Sequence, residues 1–347
     1  MAGRRLKIAT EAISDPYGGL WTHTRSVQRF SRHRIMEYPS RPVRFFLNRN
    51  RDLRGWHRRR LKRSGIRGFD IVHSRSEPWF IEACASSRSP RCRWVQSFHA
   101  MFYEEDYADG LQFWQAEQNR AVLEVGAGAD ARISVARWWH DHLLERFSID
   151  TAVIVNGVDV EECGGARAED FTGKFGLEDF YLFVGSFREV KNPTLFLELA
   201  SRMPDRRFVM IGDGLNAGKL REKYGVEAPG NVALLGRLPR KDTLDAMAAC
   251  SAYVMTSKHE GLPNTLLEAM AIARPVVVPA HTGCLELVPG GEYGFLYDLS
   301  SLEELVGQAE RAIGAEEVGR KARERVARHF NWKDSVKKLD DLYSSLA

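Results

Sequence analysis

Two glutamates, Glu260 and Glu268, stand eight residues apart in the run His259-Glu260-Gly261-Leu262-Pro263-Asn264-Thr265-Leu266-Leu267-Glu268-Ala269-Met270. The first follows an apolar strand pattern, Ala252-Tyr253-Val254-Met255, and the second falls in the helix pattern that begins after Gly261-Leu262-Pro263. That spacing sets one carboxylate at the mouth of a sheet and the other near the first turn of the helix below it. Both can then accept hydrogen bonds from hydroxyl groups in one cleft, as sugar recognition requires. The backbone amides from Gly261 to Asn264 would add donors for an anion at the same spot. A plainer reading is equally strong locally: Thr265-x-x-Glu268 is also a capping box, in which Glu268 only satisfies its own helix.

Two further strand ends carry glycine. Tyr181-Leu182-Phe183-Val184-Gly185 runs into Ser186-Phe187-Arg188-Glu189-Val190-Lys191-Asn192-Pro193. Asn192 is a good N-cap and Pro193 a good first helical residue, so Arg188 and Lys191 sit at a strand-to-helix turn that suits a phosphate. The alternative is a solvated loop with two ordinary charges. Phe208-Val209-Met210-Ile211 leads into Gly212-Asp213-Gly214, where glycine admits close approach of a ligand or of backbone. A dinucleotide fingerprint is incomplete there, because its third glycine is missing. Gly126-Ala127-Gly128 follows a helical pattern instead of a strand and reads as a helix C-terminus. His140 and His142, at i and i+2, do not share one helix face, so a surface helix is expected there and no metal site.

These loops need a scaffold that aligns strand ends. Short β-branched runs alternate with helical patterns throughout: Leu6–Ala9, Ile71–His73, Trp94–Phe98, Arg132–Val135, Ala152–Val155, Tyr181–Val184, Phe208–Ile211, Val232–Leu235, Ala252–Met255 and Pro275–Val278. Helix-length segments such as Pro193–Met203, Arg240–Ala248 and Thr265–Ala273 separate them. Near-continuous apolar strands alternating with helices predict doubly wound parallel α/β sheets, and 347 residues predict two. A turn-forming Asn156-Gly157, followed by a polar stretch to Lys174, marks the end of the first domain.

The chain is 44% hydrophobic and 28% charged, as globular proteins are. No apolar run reaches the roughly 18 residues of a membrane span, and no secretory h-region follows the basic N-terminus. Five scattered cysteines without a C-x-x-C pair predict reduced thiols in a cytoplasmic protein. The net charge of +4 hides an asymmetry: residues 1–100 hold 22 Lys and Arg against 7 Asp and Glu, leaving 28 against 39 in the remainder. A basic first part points to an anionic partner, or to a well-solvated arginine-rich surface. Its densest stretch, Arg49 to Arg63, carries Leu53, Trp56 and Leu61, a stripe that suits a basic helix on a membrane surface or against a core.

Taken in order, these segments resemble the retaining glycosyltransferases of the two-domain GT-B fold commonly called family 4. The resemblance covers nearly the full length and is densest from Ala152 to Asp298. It rests on the glutamate pair within E-G-L-P-N-T-L-L-E-A-M, on Asn156-Gly157-Val158-Asp159, Phe183-Val184-Gly185, Lys191, Gly212-Asp213-Gly214 and Leu235-Gly236-Arg237. Arg274-Pro275-Val276-Val277, Gly283, Glu286 and Gly294-Phe295-Leu296 continue the series, and Tyr17-Gly18-Gly19-Leu20 and Phe98-His99 match near the N-terminus. The resemblance implies two Rossmann-like domains facing across a cleft: an acceptor domain over residues 1–158 and a donor domain over 159–329. A C-terminal helix over 330–347 would cross back to the first domain.

By the same resemblance, Glu268 would hold the ribose of a UDP- or GDP-linked donor, Glu260 the donor sugar and Lys191 the diphosphate. His99 would sit near the transferred sugar. Gly18, Gly19, Gly185, Ser186, Gly212, Asp213, Gly214, Arg237, Gly261, Leu262, Pro263, Asn264 and Thr265 would line the donor site. Transfer of a hexose-type sugar would proceed with retention, by front-face attack and without a metal. The acceptor would be a glycan, a lipid or a small molecule, with the enzyme cytoplasmic or peripheral on the inner membrane face. Two positions depart from the pattern. Ser186 replaces a usual arginine, whose phosphates Arg188 would reach instead, and Ala273 replaces a frequent glycine. They leave open a weakened or non-catalytic relative. A glycoside hydrolase would use two carboxylates without phosphate loops, a dehydrogenase would need the complete glycine fingerprint, and no nucleic-acid-binding signature is present.

Overall fold

The computed structural model describes residues 4–13, 18–38, 66–107 and 109–347. The basic run Arg49–Arg63 and Tyr17 lie outside the described residues. The chain divides into two compact units. The first holds residues up to Asn156 together with Trp332–Ala347, and the second holds Gly157–Asn331.

In the first unit, β1 (Lys7–Glu11), β2 (Arg34–Tyr38), β3 (Ile71–Ser74), β4 (Arg93–Phe98), β5 (Ala131–Ser134) and β6 (Ala152–Val153) form one parallel sheet in the order β2-β1-β3-β4-β5-β6. In the second, β7 (Phe180–Val184), β8 (Arg207–Ile211), β9 (Val232–Gly236), β10 (Ala252–Val254), β11 (Val276–Pro279) and β12 (Phe295–Tyr297) form another, in the order β12-β11-β10-β7-β8-β9. Every neighbouring pair is parallel, the arrangement of sheets whose faces are both covered. This explains why Phe180-Tyr-Leu-Phe-Val184 and Val276-Val-Val-Pro279 are apolar almost without interruption. Two strands escape the sequence patterns. Arg34–Tyr38 is a polar edge strand, and Phe295–Tyr297 spans only three residues at the opposite kind of edge, beside β11.

The order of the second sheet is the dinucleotide-fold order. It reverses between β7 and β10, where crossovers leave in opposite directions and open a crevice beyond the strand ends. In the first sheet the corresponding reversal lies between β1 and β3.

The C-terminal helix Trp332–Leu346 belongs to the first unit. Its Trp332, Val336, Leu339 and Tyr343 are buried among Leu6, Ile8, Val27, Ile71, Val95 and Ile133. Asp340 fastens it to the end of the helix Gly19–Phe30, accepting from the Ser31 hydroxyl (2.6 Å) and the Arg32 amide (2.8 Å). Tyr343 Oη meets His73 Nδ1 at 2.5 Å, and the other ring nitrogen of His73 meets Ser97 Oγ at 2.5 Å.

Polar groups gather where β1, β3 and β4 end. Arg75 and Glu11 form a fully buried pair: Glu11 accepts from the amides of Arg75 and Ser76 at 2.8 Å each, and Arg75 donates to Thr24 Oγ1 and the Glu11 carbonyl. Around Arg75 stand His23, His73 and His99, with the rings of His23 and His99 edge to face at 4.8 Å. Burial holds all three imidazoles neutral, reinforced by the Arg75 charge. His23 and His73 fall well below the usual value, and His99 is pushed down to about 3.

In an unfolded chain these histidines take up protons as pH falls through about 6.5, whereas the folded unit does not, so stability rises with pH over that range. At pH 5, about one and a half units below 6.5, His99 alone costs on the order of 2 kcal/mol at about 1.4 kcal/mol per unit. Denaturant unfolding of the intact chain at pH 7.5 and pH 5 is expected to show the first unit losing at least that much. An unchanged midpoint would contradict neutral burial of these rings.

Candidate functional site

At the reversal between β7 and β10, two loops are clamped together by backbone. Thr256 Oγ1 donates to the carbonyls of Lys191 (3.1 Å) and Asn192 (2.8 Å), and the Lys258 amide donates to the Val190 carbonyl (2.8 Å). The clamp sets Lys191 Nζ 2.5 Å from Glu260 Oε1, with both side chains largely buried. The basic residue after β7 and the carboxylate after β10 thus meet at the point where this sheet order leaves room for a ligand. Pro193 opens the helix Pro193–Arg202 as expected, but Asn192 adopts a left-handed conformation and its side chain makes no cap. Its Oδ1 accepts from Thr194 Oγ1 instead.

Glu268 resolves the ambiguity left by its spacing. The helix Asn264–Ala271 starts at Asn264, so Thr265 is its second residue and not its cap, and Thr265 Oγ1 receives the Tyr253 hydroxyl at 2.8 Å. The buried Glu268 carboxylate instead accepts from Arg240 Nη1 at 2.7 Å. The same guanidinium makes a fork with Glu162, Nε to Oε1 at 2.9 Å and Nη2 to Oε2 at 2.8 Å. Burial opposes the Arg240 charge, but Glu268 and Glu162 outweigh it and hold the guanidinium above its usual range. Sequence reasoning missed both Arg240 and Glu162. One signal was available: Arg240 is the first residue of the helix Arg240–Ala249, where a cation opposes the helix dipole and calls for nearby carboxylates.

Gly185, Gly212 and Gly236 end the adjacent strands β7, β8 and β9. The Gly185 amide donates to Ile211 and the Gly212 amide to Gly236. A Cβ on Gly212 would stand 1.7 Å from the Gly185 carbonyl oxygen, so the close approach anticipated at Gly212 is that of backbone. Gly214, with φ +80°, turns the chain so that the Asp213 carbonyl receives the Phe187 amide. Asp213 pairs with Arg237 at 3.2 Å, both partly exposed, a contact worth at most about 1 kcal/mol and readily surrendered to a ligand. Arg188 Nε donates to Ser186 Oγ at 2.9 Å, so the arginine two positions on lies against the serine that replaces the usual basic residue. Leu262 and Pro263 are buried beneath Gly261. Ala273 sits at φ +61°, a left-handed position that explains why glycine suits it.

In the first unit, Gly18 caps the helix Gly19–Phe30, its carbonyl accepting from Trp21 and Thr22. His99 follows β4, its Nε2 buried without a hydrogen-bond partner. Glu11, His23, His73 and Arg75 surround the same strand ends and went unnoticed in the sequence, since isolated polar residues in apolar runs carry no motif. His140 bonds Thr151 Oγ1 at 2.9 Å, whereas His142 stacks on Trp139, so the two histidines diverge. Among the described residues, no three His, Cys, Asp or Glu side chains cluster to hold a metal, all five cysteines are free and buried, and no helix is long and apolar enough to cross a membrane.

Residues 16–162 match the family described as Glycosyltransferase Family 4, and residues 167–329 match Glycosyl transferases group 1. The chain is 28% identical over 206 residues to the Escherichia coli UDP-Gal:alpha-D-GlcNAc-diphosphoundecaprenol alpha-1,3-galactosyltransferase, covering 55% of this chain and 53% of that protein. It is 32% identical over 133 residues to the lipopolysaccharide core biosynthesis glycosyltransferase LpsE of Rhizobium meliloti, covering 38% of each. The chain thus spans about half or less of the length of these relatives. Among solved structures, Anabaena HepE in complex with UDP-glucose superposes with a TM-score of 0.76 at 18% identity, over 98% of this chain and 100% of that one. Sucrose-phosphate synthase from Thermosynechococcus elongatus gives 0.74 at 18% identity, over 99% of each. The chain therefore carries the GT-B fold of the glycosyltransferases, with a Glycosyltransferase Family 4 domain in residues 16–162 and a Glycosyl transferases group 1 domain in residues 167–329.

Proposed function

We propose that this protein transfers a hexose-type sugar from a UDP- or GDP-linked donor to an acceptor hydroxyl, with retention at the anomeric carbon and without a metal ion. The observation that carries this reading is the meeting of two acid–base pairs, Lys191–Glu260 and Arg240–Glu268, on the loops and helix beyond β7, β9 and β10. In this reading Glu268 accepts the ribose hydroxyls and Glu260 positions the donor sugar. The diphosphate displaces Glu260 from the Lys191 ammonium, freeing that carboxylate for the sugar hydroxyls. Lys191, Arg188 and the amides at the start of the helix Pro193–Arg202 then stabilise the charge that grows on the leaving diphosphate. Retention is read here as front-face attack by the acceptor, so we assign Glu260 no nucleophilic role. Gly18, Gly19 and the neutral His99 would serve the acceptor and the transferred sugar.

The basic surplus of residues 1–100 favours a phosphate-bearing or lipid-linked acceptor at an anionic membrane surface, on the cytoplasmic side. The diphosphoundecaprenol acceptor named for the Escherichia coli relative supports this choice.

A hydrolysis and transfer screen over UDP- and GDP-sugars tests the reaction. Turnover is expected with at least one donor, unaffected by EDTA and abolished in Glu260→Ala. Thermal shifts are expected with UDP or GDP and not with NAD or short oligonucleotides, and Glu268→Ala should remove them. The absence of any nucleotide shift in the parent chain would defeat the proposal. Arg188→Ala should lose most turnover, since a hydrogen bond to a charged group is worth about 1.5–3 kcal/mol, or roughly tenfold to a hundredfold in rate. Full activity in that variant would remove Arg188 from the phosphate site.

A further inference from the structure

Glu268 does not stand alone in its pocket. Its Oε1 is held by Arg240, and Arg240 is held by both oxygens of Glu162, from the short helix Val160–Gly164 that opens the second unit. The three side chains form a graded series. Glu268 is nearly sealed (8% exposed), Arg240 partly open (27%) and Glu162 at the surface (38%). Glu162 and Glu268 lie far apart in sequence and on different elements, and Arg240 starts a third, so the contact joins three otherwise separate pieces of this unit.

A carboxylate that must accept two neighbouring hydroxyls needs its plane fixed, and a buried one needs a counter-charge. Arg240 supplies both. The planar guanidinium uses its Nε–Nη2 edge as a fork on Glu162, which leaves Nη1 aimed at Glu268 with little rotational freedom. Lysine, a point donor on a flexible stem, could neutralise one carboxylate but not hold that geometry.

We propose that Arg240, anchored by Glu162, is a positioning residue that orients Glu268 toward the vicinal hydroxyls of the donor's ribose, so that this triad sets the preference for a ribonucleotide donor. The inference rests on the reading that Glu268 holds the ribose. It places a determinant of donor affinity at Glu162, on the surface-exposed end of the triad.

Calorimetric titration of the whole chain with UDP, GDP and their 2′,3′-dideoxy counterparts tests it. In the parent, the ribonucleotide is expected to bind at least tenfold more tightly than its dideoxy analogue. Arg240→Gln should weaken ribonucleotide binding about tenfold to a hundredfold and leave the dideoxy analogue nearly unchanged, so that the ratio collapses toward one. Arg240→Lys should rescue little of it. Glu162→Gln, at an exposed position, should lower the same ratio several-fold, and its effect should vanish in the Arg240→Gln background. Equal losses for both nucleotides in Arg240→Gln, with an unchanged ratio in Glu162→Gln, would show a merely structural contact and overturn the proposal. Glu268→Ala separates the two layers. If it leaves the ribonucleotide preference intact, the ribose reading itself fails. If it removes the preference while the Arg240 and Glu162 variants keep it, only the positioning role fails.

Discussion

The pairing of β7 with β10 is the constraint on which the chemistry of the second unit depends. Tyr181 lies opposite Ala252 and Leu182 opposite Tyr253 in a parallel ladder only a few residues long. Because the strand order reverses there, the following helices diverge and leave the two strand ends uncovered. Lys191 and Glu260 leave from those two ends, and the Thr256 hydroxyl ties one loop to the other at the carbonyls of Lys191 and Asn192. A one-residue slip of β10 would turn its side chains to the opposite faces of the sheet. Thr256 would then point away from the β7 loop and the salt bridge would lose its clamp. Core packing of fully buried residues such as Val254, Val277 and Leu182 therefore fixes a polar contact made several residues beyond the sheet.

The buried charges follow one rule and serve two ends. Glu11 and Arg75 are both sealed, and Glu11 is saturated by two amides in addition to the guanidinium, so this pair locks the end of β1 to the end of β3. Arg240 and Glu268 obey the same need for compensation, yet their shell opens to solvent through Glu162. A sealed pair is costly to break. One that grades from buried to exposed can keep its charges compensated while a ligand's hydroxyl groups are added. The contrast in exposure is what separates a structural lock from a candidate binding group.

Much of this was legible in the sequence, and the rest was not, for identifiable reasons. Strands buried on both faces, such as Phe180–Val184 and Val276–Pro279, announce themselves as apolar runs and could be read directly. Arg34–Tyr38 could not, since an edge strand with Arg34 and Glu37 is free of the pressure that writes the pattern. The loops after β7, β8 and β10 were visible through glycine, whose backbone freedom is a local property. The role of Glu268 was not decidable locally, because a glutamate three residues after Thr265 fits a capping box as well as it fits a binding carboxylate. What decided it was Arg240, 28 positions earlier in the chain, and no local pattern encodes a partner at that distance. The buried histidines were hidden for the same reason: His23, His73 and Arg75 matter to one another only after β1, β3 and a helix are brought together.

The two units also differ in the kind of polar group they place beyond their strands, and the difference suits the proposed reaction. In the second, ionised pairs face the crevice, where a departing diphosphate would deliver negative charge and a fixed cation stabilises it best. In the first, the imidazoles of His23, His73 and His99 are kept neutral by burial and by the Arg75 charge. A neutral imidazole can donate one hydrogen bond and accept another, and so can orient a hydroxyl without adding charge to its surroundings. Holding His99 near 3, far below the range in which an imidazole exchanges protons with solvent, keeps it in that neutral role across physiological pH.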